Sequence, residues 1–227
     1  MPRFLHHLDT SEAKDLLPNS LVVLPVGSIE QHCNAPLGLD AMISETVAAR
    51  ACLRLESKNI ACIILPAIYY GFSHEWMDSQ GTISLRPTTL LSLIEDIIAS
   101  LAEHGAKKIV ILNGHGGNSG ILEAAARVIS RKYNVVIGVI DYWRVAGLKL
   151  GHCDETEEML MKDLLGIEQK CECEKTVTIK KYRLAMPELP TKAGAPGSEA
   201  IPLGELIERV AEAMEDVYNT NTASPGL

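Results

Sequence analysis

The sequence predicts an α/β fold, a mainly parallel sheet with helices on both faces. Three observations lead there. Short apolar runs rich in Val, Leu and Ile recur along the chain and read as buried strands. Strand and helix patterns alternate four times, which calls for parallel pairing through crossover helices. The chain has 227 residues, 47% of them apolar, enough for one sizeable core and a single domain over 1–227.

The elements follow in order. Leu21 to Val26 is a compact branched run and reads as the first strand. Asp40 to Leu55 carries Met42, Ile43, Val47, Ala48, Cys52 and Leu55 at helical spacing. Ala61 to Ile68 is the second strand, and Gly81 to Leu85 a short one. Thr88 to His104 is a helix ended by Gly105. Lys108 to Leu112 is the third main strand, running directly into Asn113-Gly-His-Gly-Gly-Asn118. Gly120 to Lys132 is a helix and Val135 to Tyr142 the fourth main strand. Glu155 to Leu165 reads as a helix, Lys175 to Tyr182 as a partly exposed strand, and Ile201 to Val217 as a closing helix. Residues 192–197 form a Gly/Pro-rich loop, and the polar tail from Asn219 frays.

A formal charge of −8 argues against a non-specific nucleic-acid binder. No apolar run reaches the roughly 18–20 residues that span a bilayer, and the first residues lack a signal-peptide core, so the expected location is cytoplasmic, away from membranes. The six cysteines show no Cys-x-x-Cys spacing and are expected to be reduced and mostly buried.

Ligands of parallel sheets bind beyond the carboxyl ends of the strands. Metal-ligand residue types collect there. Glu30 and His32 follow the first strand. They are two apart, so an extended chain points both the same way. Asp40 stands at a helix start, where it is either an N-cap or a carboxylate whose two oxygens bridge two cations. His115 lies among three glycines after the third strand, in a run whose amides can also meet an oxyanion. His152 precedes a helix start rich in acids. The helix dipole accounts for some of Asp154, Glu155 and Glu158, but not for the histidine. Imidazole and carboxylate in this mixture are ligands for zinc, iron or manganese. Tyr69, Tyr70 and Trp76 offer a flat wall for a planar substrate.

Gly27-Ser-Ile-Glu-Gln-His32, the Pro36-Leu-Gly-Leu-Asp40 segment that follows, Gly81-Thr-Ile-Ser-Leu85 and Asn113-Gly-His-Gly-Gly-Asn118 resemble the creatininase family of metal-dependent amidohydrolases. The likeness runs from about Leu21 to Leu160. It implies a three-layer α/β/α architecture, a small-molecule substrate, a homo-oligomer and two divalent metal ions per subunit, iron(II), zinc or manganese. By resemblance, Glu30, Asp40 and His115 bind one ion, and His32, Asp40 and Glu157 the other, with Asp40 shared. His152 falls on the proton-transfer histidine. The chain departs from the family in two places: the stretch from His32 to Asp40 is one residue shorter, and the last motif reads His152-Cys-Asp-Glu-Thr-Glu-Glu. Gly116-Gly117 stand where creatininase itself carries a bulkier pair with an acid.

Three activities of the family are weighed: creatininase, a peptidase that trims a redox-cofactor precursor, and an archaeal deformylase. The last removes formate from 2-amino-5-formylamino-6-ribosylaminopyrimidin-4(3H)-one 5'-monophosphate, on the route to riboflavin and coenzyme F420. Compactness and free cysteines favour the deformylase. Its pyrimidine would stack on Trp76 or Tyr70, its oxyanion would meet amides near Gly116 and Gly117, and its phosphate would meet Arg86 or Lys192. The rivals from other classes are a non-catalytic metal- or nucleotide-binding protein and a phosphatase or nuclease, which also uses paired metals but against which the scarcity of clustered Lys and Arg near the motifs counts.

Overall fold

The computed structural model describes residues 1–149, 151–170 and 201–221. In chain order the main elements are α1 (Thr10–Leu16), β1 (Leu21–Val26), α2 (Leu39–Ser57), β2 (Cys62–Ile64), α3 (Pro87–Glu103) and β3 (Lys108–Asn113). They continue with α4 (Ser119–Tyr133), β4 (Val136–Asp141), α5 (Tyr142–Val145), α6 (Glu155–Leu165) and α7 (Leu203–Asn219). The strands form one parallel sheet in the order β2-β1-β3-β4.

Three layers follow from the two-residue period of the strands. Leu21 and Val23 of β1, with Val110 and Leu112 of β3, point into one core, filled by Ile43, Val47 and Leu55 of α2, Leu160 of α6 and Val210 of α7. Val22, Leu24, Ile109 and Ile111 point the other way, onto Leu90, Ile94 and Ile98 of α3 and Leu122 and Ile129 of α4. Ile94 and Ile98 are fully buried, each contributing about 1.5–3 kcal/mol by removal from water.

Several boundaries differ from expectation. The second strand keeps ladder geometry only over Cys62–Ile64, because Pro66 has no N–H to donate. The chain still runs beside β1, with Leu65 N–H donating to Val23 O and Ile68 N–H to Pro25 O. Gly81 to Leu85 forms no ladder: it makes the isolated Ile29–Ile83 bridge and a bond from Leu85 N–H to Gly71 O, while the Thr82 and Ser84 hydroxyls accept from Gln31 N–H and Ser73 N–H. Tyr142 leaves the fourth strand and opens α5. An unexpected helix, α1, is closed by a reciprocal cap between Asp9 and Glu12. The expected strand at 175–182 lies outside the described residues. None of the described helices is long and apolar enough to cross a membrane.

Cys52, Cys62 and Cys153 are free buried thiols, as expected. Cys33 is not: it is disulfide-bonded. It sits in a partly exposed loop rather than in the core, and the neighbouring Asn34 bonds to Lys170 O and accepts from Gln169. Cys171 and Cys173 lie outside the described residues.

The register places Val26, Asn113 and Asp141 side by side at the carboxyl edge. From β1 the chain goes to β2 on one side, and β3 lies on the other. The crevice of such a switch point opens between the ends of β1 and β3.

Candidate metal centre

Asp40 is the pivot of that crevice. It lies in the first turn of α2, whose N-cap is Gly38, so the alternative of an Asp40 cap does not hold. Its two oxygens are turned to different imidazoles: Oδ1 is 3.1 Å from His32 Nε2, and Oδ2 is 3.1 Å from His115 Nδ1. Ser28 Oγ donates to Oδ2 at 2.9 Å. Gly114 allows this approach, since a Cβ there would sit 2.3 Å from Asp40 O.

On one side of Asp40, Glu30 Oε1 lies 3.3 Å from His115 Nδ1. On the other, Glu157 Oε1 lies 3.8 Å from His32 Nε2. Asp154 caps α6 by accepting from Thr156 N and Glu157 N, which brings Glu157 to the cluster. The ligand atoms of Glu30, Asp40 and His115, and those of His32, Asp40 and Glu157, fall into groups whose members all lie within 4.8 Å of one another. A third group joins Glu30, His32 and His152.

The outer nitrogens of both rings are tied down. His32 Nδ1 is 3.1 Å from Glu30 O, and His115 Nε2 is 2.9 Å from Phe72 O. A carbonyl only accepts, so the outer nitrogen carries hydrogen and the inner one is left to face a cation. Behind the glycine-rich turn, Asn113 Nδ2 donates to Asp141 Oδ1 at 2.7 Å, and Ser119 Oγ donates to Asp141 Oδ2 at 3.0 Å. His115 N–H donates back to Asn113 Oδ1, and Asn118 Nδ2 donates to Gly27 O.

Charge and burial set the protonation. Burial pushes His32 and His115 down. Asp40 and Glu157 around His32, and Glu30 and Asp40 around His115, outweigh it and hold both rings well above the usual histidine range. Burial also opposes ionisation of Asp40, yet the two imidazoles keep it far below the usual carboxylate range. Burial lifts Glu157 and Glu75. For His152, burial and then the neighbouring His32 lower the pKa to about 4.

The donor set fits divalent cations. Glu30 is 1% exposed, and its Oε2 has no hydrogen-bond partner. A buried carboxylate oxygen left so is costly unless a positive group meets it. Two protonated imidazoles among three carboxylates occupy in charge the place that two cations would take.

A cleft opens over the cluster, with about 320 Å³ of space in and just outside its mouth. Glu30, Asp40, His115 and Glu157 line its floor, and Gly116, Gly117, Glu75, Trp76 and His152 its walls. Trp76 stacks on His152 at 4.3 Å with planes 16° apart, so that indole face is taken. Tyr70 is 49% exposed and, like Arg86, does not line the cleft. Lys192 lies outside the described residues. Sequence reasoning passed over Ser28, Gln31, Ser73, Glu75 and Asp141. Of these, only Asp141 had a legible signal, a lone acid closing a branched strand level with Asn113.

The model of the creatinine amidohydrolase (creatininase) family matches residues 6–171. The chain belongs to the creatininase family. A curated creatinine amidohydrolase from Pseudomonas putida is 28% identical over 144 residues, 58% of this chain and 54% of that protein. A mycofactocin precursor peptide peptidase from Mycobacterium tuberculosis is 36% identical over 114 residues, 48% of this chain and 45% of that protein. The 2-amino-5-formylamino-6-ribosylaminopyrimidin-4(3H)-one 5'-monophosphate deformylase of Methanocaldococcus infernus is 27% identical over 150 residues, 65% of this chain and 61% of that protein. The chain thus spans about half the length of the first two relatives. Among solved structures, a creatininase variant complexed with creatine superposes with a TM-score of 0.77 at 22% identity, covering 97% of this chain and all (100%) of that one. A manganese form gives 0.76 at 21% identity, with the same coverage, 97% and 100%. The creatininase fold, three layers around a parallel sheet, is therefore the fold of this chain.

Proposed function

We propose that this chain hydrolyses a carbon–nitrogen bond in a small planar amide, with two divalent cations held by Glu30, His32, Asp40, His115 and Glu157. The observation that carries the reading is Asp40, whose two oxygens serve separate imidazole–carboxylate pairs on the floor of one cleft. Bound there, such cations would supply a water of pKa about 7 and polarise a carbonyl.

The chain's own residues supply the rest. His152 Nδ1 lies 3.5 Å from Glu30 Oε1, and its Nε2 is 2.8 Å from Gln31 O, which fixes the ring over the cluster. Lowered to about 4, its pKa leaves the ring neutral at neutral pH. A neutral ring can take a proton from the attacking water and hand it to the leaving nitrogen. Gly116 and Gly117 bring main-chain amides to the wall without side chains in the way, where negative charge on the carbonyl oxygen would be met. Trp76, stacked behind His152, shuts water from that side of the ring.

Within this class we favour deformylation of the formylaminopyrimidine ribosyl monophosphate, supported by the alignment with the Methanocaldococcus infernus enzyme over 65% of this chain. Creatinine opening is the second reading. It is favoured by a specific feature: no Lys or Arg is among the described residues lining the cleft, where a phosphate would seek one. Anaerobic turnover with added iron(II), zinc or manganese separates them. Formate from the pyrimidine alone supports the first reading, and creatine from creatinine alone supports the second. Silence with both, in protein holding two metals, removes both substrates.

A further inference from the structure

We infer that Glu75 is the specificity-determining residue of this cleft, reading an amino group beside a ring N–H, the N–C(–NH2)–N unit of guanidine-like and 2-aminopyrimidine rings. This rests on the amidohydrolase reading in one respect, that the cleft receives the substrate.

Glu75 belongs to a 3-10 turn, His74–Trp76, that also seats Trp76 against His152. Its side chain is only 13% exposed and lines the wall of the cleft. It is in none of the metal-ligand groups among the described residues. The imidazole nitrogen His115 Nε2 is 3.9 Å away and already engaged by Phe72 O at 2.9 Å. No Lys or Arg is among the described residues lining the cleft. Gly117 makes the room: a Cβ there would lie 2.9 Å from Glu75 Oε1 and 2.4 Å from His115 Nε2. The acid and the bare glycine surface thus form one slot.

A largely buried acid is expensive until N–H donors reach it. A carboxylate accepts two parallel N–H bonds, which an amino group and the adjacent ring N–H present at matching spacing. A ring with a carbonyl in place of the amino group offers a lone pair there instead. Mismatches of this kind give large discriminations because a buried polar group is left unpaired.

Isocytosine and uracil differ in this feature and contain no formamide to hydrolyse. Their binding to the zinc-loaded full chain is followed by ligand-observed NMR titration, with zinc content and melting temperature measured in parallel. Wild type should bind isocytosine about tenfold or more tightly than uracil. Glu75→Gln should hold its zinc and melt like wild type, yet reduce that ratio to about threefold or less. Equal affinities in wild type, no binding of either probe, or a ratio unchanged in Glu75→Gln overturns the inference. A chain that fails to take up zinc refutes the two-metal reading instead, and the ratio is then read on the metal-free chain.

Discussion

Loading the centre with metal should expel protons, and the number follows from the cluster. In the metal-free chain the surrounding carboxylates hold His32 and His115 protonated well above the usual histidine range, against the opposing effect of burial. A cation needs the lone pair of His32 Nε2 and of His115 Nδ1, because the outer nitrogens are committed to Glu30 O and Phe72 O. Each ring therefore surrenders a proton, about two per chain. A displaced proton weakens apparent binding about tenfold, or ~1.4 kcal/mol, for each pH unit of acidification. The product of the two metal constants should then fall about 100-fold, or ~2.7 kcal/mol, per pH unit. Zinc titration calorimetry near neutral pH, in buffers of different ionisation enthalpy, counts these protons directly. His32→Gln should lower the count by about one. Stoichiometric zinc uptake with no proton release would show that the imidazoles are already neutral, and would refute the charge-substitution argument.

Other outcomes follow from the same geometry. The metal-free chain should lose stability as pH rises through the folded-state values of His32 and His115, since raised pKa values stabilise only while the rings are protonated. His152 acts with the opposite sign. Its folded value of about 4 lies below the unfolded 6.5, so stability falls as pH drops between them, by up to about 3 kcal/mol. Urea unfolding in chelator across that window, compared with His152→Gln, reads the difference. The same variant should cut kcat on the order of a hundredfold with metal retained. Loss of metal instead would make His152 a ligand, through its group with Glu30 and His32. Gly114→Ala should displace Asp40, because its Cβ would meet Asp40 O at 2.3 Å, and should lower zinc content and melting temperature together.

Periodicity carried the layers. The branched runs at Leu21 and Lys108 had no polar alternation, and both prove buried on both faces. Their ends carried the site, because motifs placed after parallel strands must converge at one edge. What the sequence hid is what depends on contacts between distant segments. Pro66 sits inside an apolar run, and only pairing with β1 shows where its missing donor ends the ladder. Glu75 reads as one more surface acid until its turn is folded against His115, 40 residues away in the chain. Trp76 invited a stacking role for a substrate, but whether an aromatic face is free depends on what packs against it, here His152. The Cys33 disulfide had no spacing signal at all.

The short segment from Phe72 to Trp76 grips His115 by a main-chain carbonyl and the Ser73 hydroxyl, while the side chains of Glu75 and Trp76 form the wall of the cleft. Residues 72 and 73 support one task and the side chains of 75 and 76 the other. Residues 75 and 76 can therefore be exchanged without unseating the ligand, provided the path of the loop is kept. On the proposed reading, the cation-holding floor and the selective wall are separable in heredity, and a descendant of this chain could be retargeted by a few codons in one loop.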